Sequence, residues 1–97
     1  MKMYNPPPHP GEFIKEVYLY ELDISEREVA QKLKVSPSTL NRLIAGQSSL
    51  SPEMALRLSI TLGRTPQSWL LMQDNYSLYK ISQELNFENV EKLKIPA

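Results

Sequence analysis

The placement of proline in this chain leaves few folds open to it. Three prolines follow a hydroxyl residue, in Ser36-Pro37, Ser51-Pro52 and Thr65-Pro66. A Ser or Thr at the N-cap accepts a hydrogen bond from an orphan backbone N–H, and proline at the first helical position gives up a donor that has no partner there. Gly46 and Gly63 stand where the preceding helices should stop in a left-handed residue. Ser25-Glu26-Arg27-Glu28 reads as a capping box, and Pro10-Gly11-Glu12 opens a first helix behind the stiff arm Pro6-Pro7-Pro8-His9-Pro10.

The segments between these marks repeat apolar residues at helical spacing. Phe13, Ile14, Val17 and Tyr20 outline one inward face, Val29 and Leu33 a second, Leu40, Leu43 and Ile44 a third, and Met54, Ala55, Leu58 and Leu62 a fourth. The pattern predicts helices over 11–22, 26–33, 37–45, 52–62 and 66–80, an all-α bundle of five short helices. At 97 residues the chain has room for one core. It divides into a proline-rich arm (1–9), a helical domain (10–80) and a C-terminal extension (81–97), in which Val90 to Ile95 reads either as a short strand or as a tail.

Composition matters mainly for what it excludes. Without cysteine and with one histidine, the chain has neither a disulfide framework nor the ligands of a Cys- or His-based metal cluster. No Gly-rich phosphate loop is present, so an enzyme is not expected and no cofactor is implied. Glu12, Glu16 and Glu21 read as a solvated acidic face rather than a catalytic pair. No apolar run approaches the roughly 20 residues that a membrane span needs, and Met1 to Asn5 does not resemble a signal peptide. The expectation is a soluble, cytoplasmic chain.

Net charge is zero, but its distribution is uneven. From Ser25 to Arg64, six basic residues stand against three acidic ones. Within that stretch, the predicted helices over 26–33 and 37–45 are joined by Lys34-Val35-Ser36, a length that suits a helix-turn-helix. Val29, Leu33, Val35, Leu40 and Leu43 would hold the two helices together, with small Ala30 at their crossing. The outward face of the second helix then carries Pro37, Ser38, Thr39, Asn41 and Arg42. Arg42 can donate two parallel bonds to guanine O6 and N7, and Asn41 can read adenine or hold a phosphate. Ser38 and Thr39 can meet base edges, while Ser36 and the helix N-terminal amides can grip a phosphate. Gln47, just past Gly46, is placed to hold the neighbouring DNA backbone.

The run Ser36-Pro37-Ser38-Thr39-Leu40-Asn41-Arg42-Leu43-Ile44-Ala45-Gly46 resembles the recognition helix of the lambda-repressor-like (Xre) DNA-binding domains. Three further segments narrow the resemblance to the HigA antitoxins of type II toxin–antitoxin pairs. They are His9-Pro10-Gly11-Glu12, Leu50-Ser51-Pro52-Glu53-Met54-Ala55-Leu56-Arg57-Leu58, and Thr65-Pro66-Gln67-Ser68-Trp69-Leu70 leading to Gln73-Asp74-Asn75-Tyr76-Ser77-Leu78. The resemblance implies a homodimer that represses its own operon at a palindromic operator in double-stranded DNA. It also implies neutralisation of a small, basic endoribonuclease toxin of the RelE/HigB-like kind. Carried over by position, the DNA contacts fall on Ser25, Ser36, Ser38, Thr39, Asn41, Arg42 and Gln47. Two positions depart from the family: Lys34 stands where glycine is usual in the turn, and Gln47 replaces a frequent lysine. A stand-alone repressor of the same fold is the alternative reading.

Other features allow two readings each. Trp69 fits the core, but with Met72, Gln73 and Tyr76 it also fits a mixed stripe of the kind a symmetric dimer contact needs. Pro6-Pro7-Pro8 reads as a stiff lead-in or as a polyproline ligand. The acidic residues Glu12, Glu16 and Glu21, with Glu84, Glu88 and Glu91, are either solvated or a meeting surface for a basic toxin.

Overall fold

A computed structural model of the chain describes residues 6–96. Among the described residues it has five helical stretches and no strand, the all-α bundle that the sequence predicts. The first stretch is composite. Helix α1 (Pro10–Ile14) runs directly into a π-helical segment (Lys15–Tyr20), with a last helical turn at residues 21–22. Then follow α2 (Glu26–Leu33), α3 (Pro37–Ile44), α4 (Pro52–Thr61) and α5 (Pro66–Glu84). Residues 1–5, the first part of the predicted arm, lie outside the described residues.

The four hydroxyl N-caps form, that of Ser25 through the half of its capping box in which Ser25 Oγ accepts from the Glu28 N–H. The side-chain oxygens of Ser25, Ser36, Ser51 and Thr65 accept from the backbone N–H three residues on, in Glu28, Thr39, Met54 and Ser68, at 3.0 to 3.1 Å. Gly46 and Gly63 take positive φ values of 76° and 97° beyond α3 and α4. Helix α5 runs four residues past the predicted 80, and beyond it residues 85–96 are exposed and non-helical, a tail rather than a strand.

The core gathers Ile14, Leu19, Val29, Ala30, Leu33, Leu40, Leu43, Leu50, Ala55, Leu58 and Trp69. One predicted face is corrected. Val17 is 41% exposed and Tyr20 67%, whereas Tyr18 and Leu19 turn inward. The cause is the π segment. A π turn inserts one extra residue into the helical repeat, so the inward positions move one place along the chain. The helix then ends at Asp23, left-handed with φ 53°, where the Ile24 N–H donates to the Leu19 C=O.

Two contacts set α1 against α3. Gly11 is buried at the crossing, where an added Cβ would collide with the carbonyl oxygen of Leu43 and lie 2.7 Å from the Ile44 Cα. His9 caps α1: its Nδ1 accepts from the Gly11 N–H at 2.9 Å, and its Nε2 lies 3.0 Å from the Ser48 carbonyl oxygen. Accepting at Nδ1 requires the neutral ring, with the proton on Nε2 donated to Ser48. Burial accordingly pulls the His9 imidazole below its ordinary pKa; the Ser48 hydrogen bond and Glu12 oppose this, and Lys80 adds to it.

Candidate nucleic-acid interface

Helices α2 and α3 meet through the predicted turn. Lys34 adopts φ 61° and ψ 40°, the left-handed conformation that the family's glycine would enter at no steric cost. Its N–H donates to Gln31 C=O and the Val35 N–H to Ala30 C=O, which closes the end of α2. Arg57 of α4 completes this cap. Its Nη1 donates to the Leu33 carbonyl at 2.8 Å and approaches that of Lys34 at 3.4 Å, while Glu53 holds the same guanidinium at 3.2 Å. The helix-turn-helix is thus fixed to α4 by an arginine that the sequence pattern presents only as one more positive charge.

Leu40 and Leu43 are buried, which aims the other side of α3 outward. On that side Pro37, Ser38, Asn41 and Arg42 are exposed and Thr39 is half-buried. The Ser36 hydroxyl gathers the helix start: it lies 2.8 Å from Thr39 Oγ1 and 3.2 Å from Ser38 Oγ. Three hydroxyls and the N-terminal amides of α3 therefore share one small surface, where helix geometry favours an anion such as a phosphate. Asn41 is engaged differently. Its Nδ2 donates to Glu26 Oε1 at 3.2 Å, so α2 orients this amide, and a carboxylate stands beside the exposed side of α3.

Arg42 lines a shallow cleft between α3 and the start of α4, with Thr39, Leu43, Ser48, Ser49, Ser51 and Met54. The fold brings Ser48 and Ser49, which directly follow Gly46-Gln47, beside Arg42 in this cleft. Gln47 is exposed on the exit loop, its N–H donating to Arg42 C=O at 2.9 Å. Ser25 is exposed at the start of α2, one residue before Glu26. The arrangement offers one forked cation, several hydroxyls and two amides, the chemistry of base edges and phosphates.

The predicted dimer stripe is divided by burial. Trp69 is 0% exposed, with Nε1 donating to Gly63 C=O at 2.9 Å, and its ring meets Phe13 edge-on at 5.8 Å. Gln73 is also buried. Its Oε1 accepts from Leu50 N–H at 2.8 Å and its Nε2 donates to Ser77 Oγ at 3.0 Å. Both side chains make their hydrogen bonds within this chain. Met72 packs partly on the core, and Tyr76 is half-buried with its ring 5.0 Å from His9. Glu12, Glu16, Glu21, Glu84, Glu88 and Glu91 are all exposed. No helix among the described residues is long and apolar enough to cross a membrane.

Comparison with known proteins agrees with this geometry. A helix-turn-helix family model matches residues 14–69. The Escherichia coli (strain K12) uncharacterized HTH-type transcriptional regulator YddM is 41% identical over 93 residues, 96% of this chain and 97% of that protein. The structure of the antitoxin GraA in complex with its operator superposes with a TM-score of 0.81 at 32% identity, covering 100% of this chain and 98% of GraA. That of the Pseudomonas aeruginosa antitoxin HigA with the higBA promoter gives 0.78 at 35% identity, covering 91% and 99%.

Proposed function

Since the chain belongs to the Xre-like helix-turn-helix family of DNA-binding regulators and antitoxins, we propose that it is an antitoxin and autorepressor. It binds a palindromic operator in double-stranded DNA as a homodimer and neutralises a small basic toxin of the RelE/HigB-like kind. It does so in the bacterial cytoplasm, on the nucleoid when operator-bound. The observation that carries the DNA half is the exposed Arg42 on a helix whose opposite side, Leu40 and Leu43, is buried. The reading draws further support from the two antitoxin structures, each of which contains that protein's own operator or promoter DNA.

In this mechanism each subunit lays α3 in a major groove, the two half-sites about 34 Å apart. Arg42 reads guanine; Ser38 and Thr39 meet neighbouring base edges. Ser25, Ser36 and Gln47 hold phosphates, and Asn41 reads or holds after Glu26 yields or with the groups Glu26 leaves available. Met72 and Tyr76 belong to the proposed subunit contact only through their partly exposed atoms. Replacing Arg42 with Ala should cost about 1–3 kcal/mol per half-site and relax base preference there. Fluorescence anisotropy on DNA from upstream of the protein's own gene measures this; unchanged affinity and preference would overturn the docking.

A stand-alone repressor is the second reading, favoured by the near full-length match to a transcriptional regulator. Affinity capture of the protein from its own host distinguishes the two. A stoichiometric small basic protein identifies an antitoxin, and recovery of the protein with DNA alone identifies the repressor.

A further inference from the structure

The one histidine of the chain sits on neither the reading helix nor a surface patch, yet it joins the arm to the loop that leaves the reading helix. We propose that His9 is a positioning residue for operator recognition: its neutral ring ties the Gly46–Ser49 loop to the start of α1, and taking up a proton frees that loop and weakens DNA binding. The inference rests on the operator-binding reading.

The geometry is specific about protonation. With Nδ1 accepting from Gly11 and Nε2 donating to the Ser48 carbonyl, both ring nitrogens are in use. A second proton would set an N–H against the Gly11 N–H, and a ring that turns to relieve this opposition also withdraws Nε2 from the Ser48 carbonyl. Ser48 lies one residue beyond Gln47 and lines the Arg42 cleft with Ser49, so the released segment is part of the proposed DNA surface. The tie is reinforced nearby, since Gly11 sits against the Leu43 carbonyl at the end of the same helix.

The surroundings are mixed in charge. Glu12, Lys15, Glu16 and Tyr20 line the cleft on the first-helix side of His9, and Tyr76, Lys80 and Glu84 of α5 line the other; the loop from Ala45 to Ser49 contributes no ionisable side chain. Burial outweighs Glu12 and holds the ring neutral. Because the folded ring takes up a proton less readily than the unfolded chain does, its contribution to stability is complete above about pH 6.5 and declines as pH falls from there towards the folded value.

The sign of the effect on DNA makes the idea testable. Added positive charge by itself strengthens binding to DNA. Release of the loop predicts the reverse. Operator affinity of the full chain, measured by anisotropy, should fall by about two- to fivefold between roughly pH 7.5 and 5 at fixed salt. His9→Asn keeps an N-cap acceptor but does not titrate and loses the imidazole bridge to Ser48. It should bind more weakly at the higher pH and show a flat profile. A wild-type profile that is flat, or that rises with acid, would overturn the proposal. If the variant does not fold, two-dimensional NMR of the wild type serves: the Gly11 and Ser49 amides should titrate with the His9 ring, and a ring that titrates without them also overturns it. Absence of operator binding at every pH would instead defeat the operator-binding reading.

Discussion

Lys34 shows how a single residue can be out of register with its conformation without unsettling the fold. A left-handed non-glycine residue is strained by roughly 1–2 kcal/mol. Here the Gln31 and Ala30 carbonyls and the Arg57 guanidinium hold the turn closed around it. Lys34→Gly should relieve most of that strain, offset by the greater freedom of glycine in the unfolded chain. A gain of about 0.5–1 kcal/mol, read as a rise of a few degrees in the unfolding midpoint, is the expected result. A fall would mean that the lysine side chain makes a stabilising contact. Residues of this kind explain what the sequence concealed. Nothing local distinguishes Arg57 as a cap on α2 or Glu26 as the partner of Asn41, because those partners lie 24 and 15 positions away. The burial of Gln73 is hidden for the same reason: a polar residue in a mixed stripe looks exposed until the Leu50 N–H that it satisfies is brought to it.

At the scale of the elements, the helix starts were legible because each is decided within three residues of its cap. Ser36 and Thr39, or Thr65 and Ser68, need nothing from the rest of the chain. The first helix was legible in extent but not in phase. Val17, Tyr18, Leu19 and Tyr20 are all apolar or aromatic, so the pattern accepts either choice of inward pair and only packing selects Tyr18 and Leu19. Packing of α1 on α3 in turn depends on the absent side chain at position 11. Gly11→Ala must push the two helices apart, and overpacking of this kind costs about 1–3 kcal/mol. Chemical denaturation should show the loss, and operator affinity should fall with it as the end of α3 shifts. An unchanged midpoint would mean that the helices do not approach this closely.

The whole molecule measures 54 × 29 × 25 Å along its principal axes, longer than a five-helix core of this size requires. Every described residue beyond Ser82 is exposed, including Leu85, Phe87, Val90, Leu93 and Ile95. Ending the chain after Glu84 should therefore leave stability within about 0.5 kcal/mol of the full-length value. Thermal unfolding of the two forms checks this, and a larger loss would mean that the tail packs on the body or on a second copy. The division of labour within α3 has a consequence at this scale too. Leu40 and Leu43 are buried and serve the fold, whereas Ser38 and Arg42 are exposed and, in the proposed function, face the DNA. The two alphabets are interleaved at helical spacing in one eight-residue word. On the proposed docking, a lineage can rewrite the outward letters to follow a drifting operator, and duplicated copies can part company in the genes they control, without the scaffold registering the change.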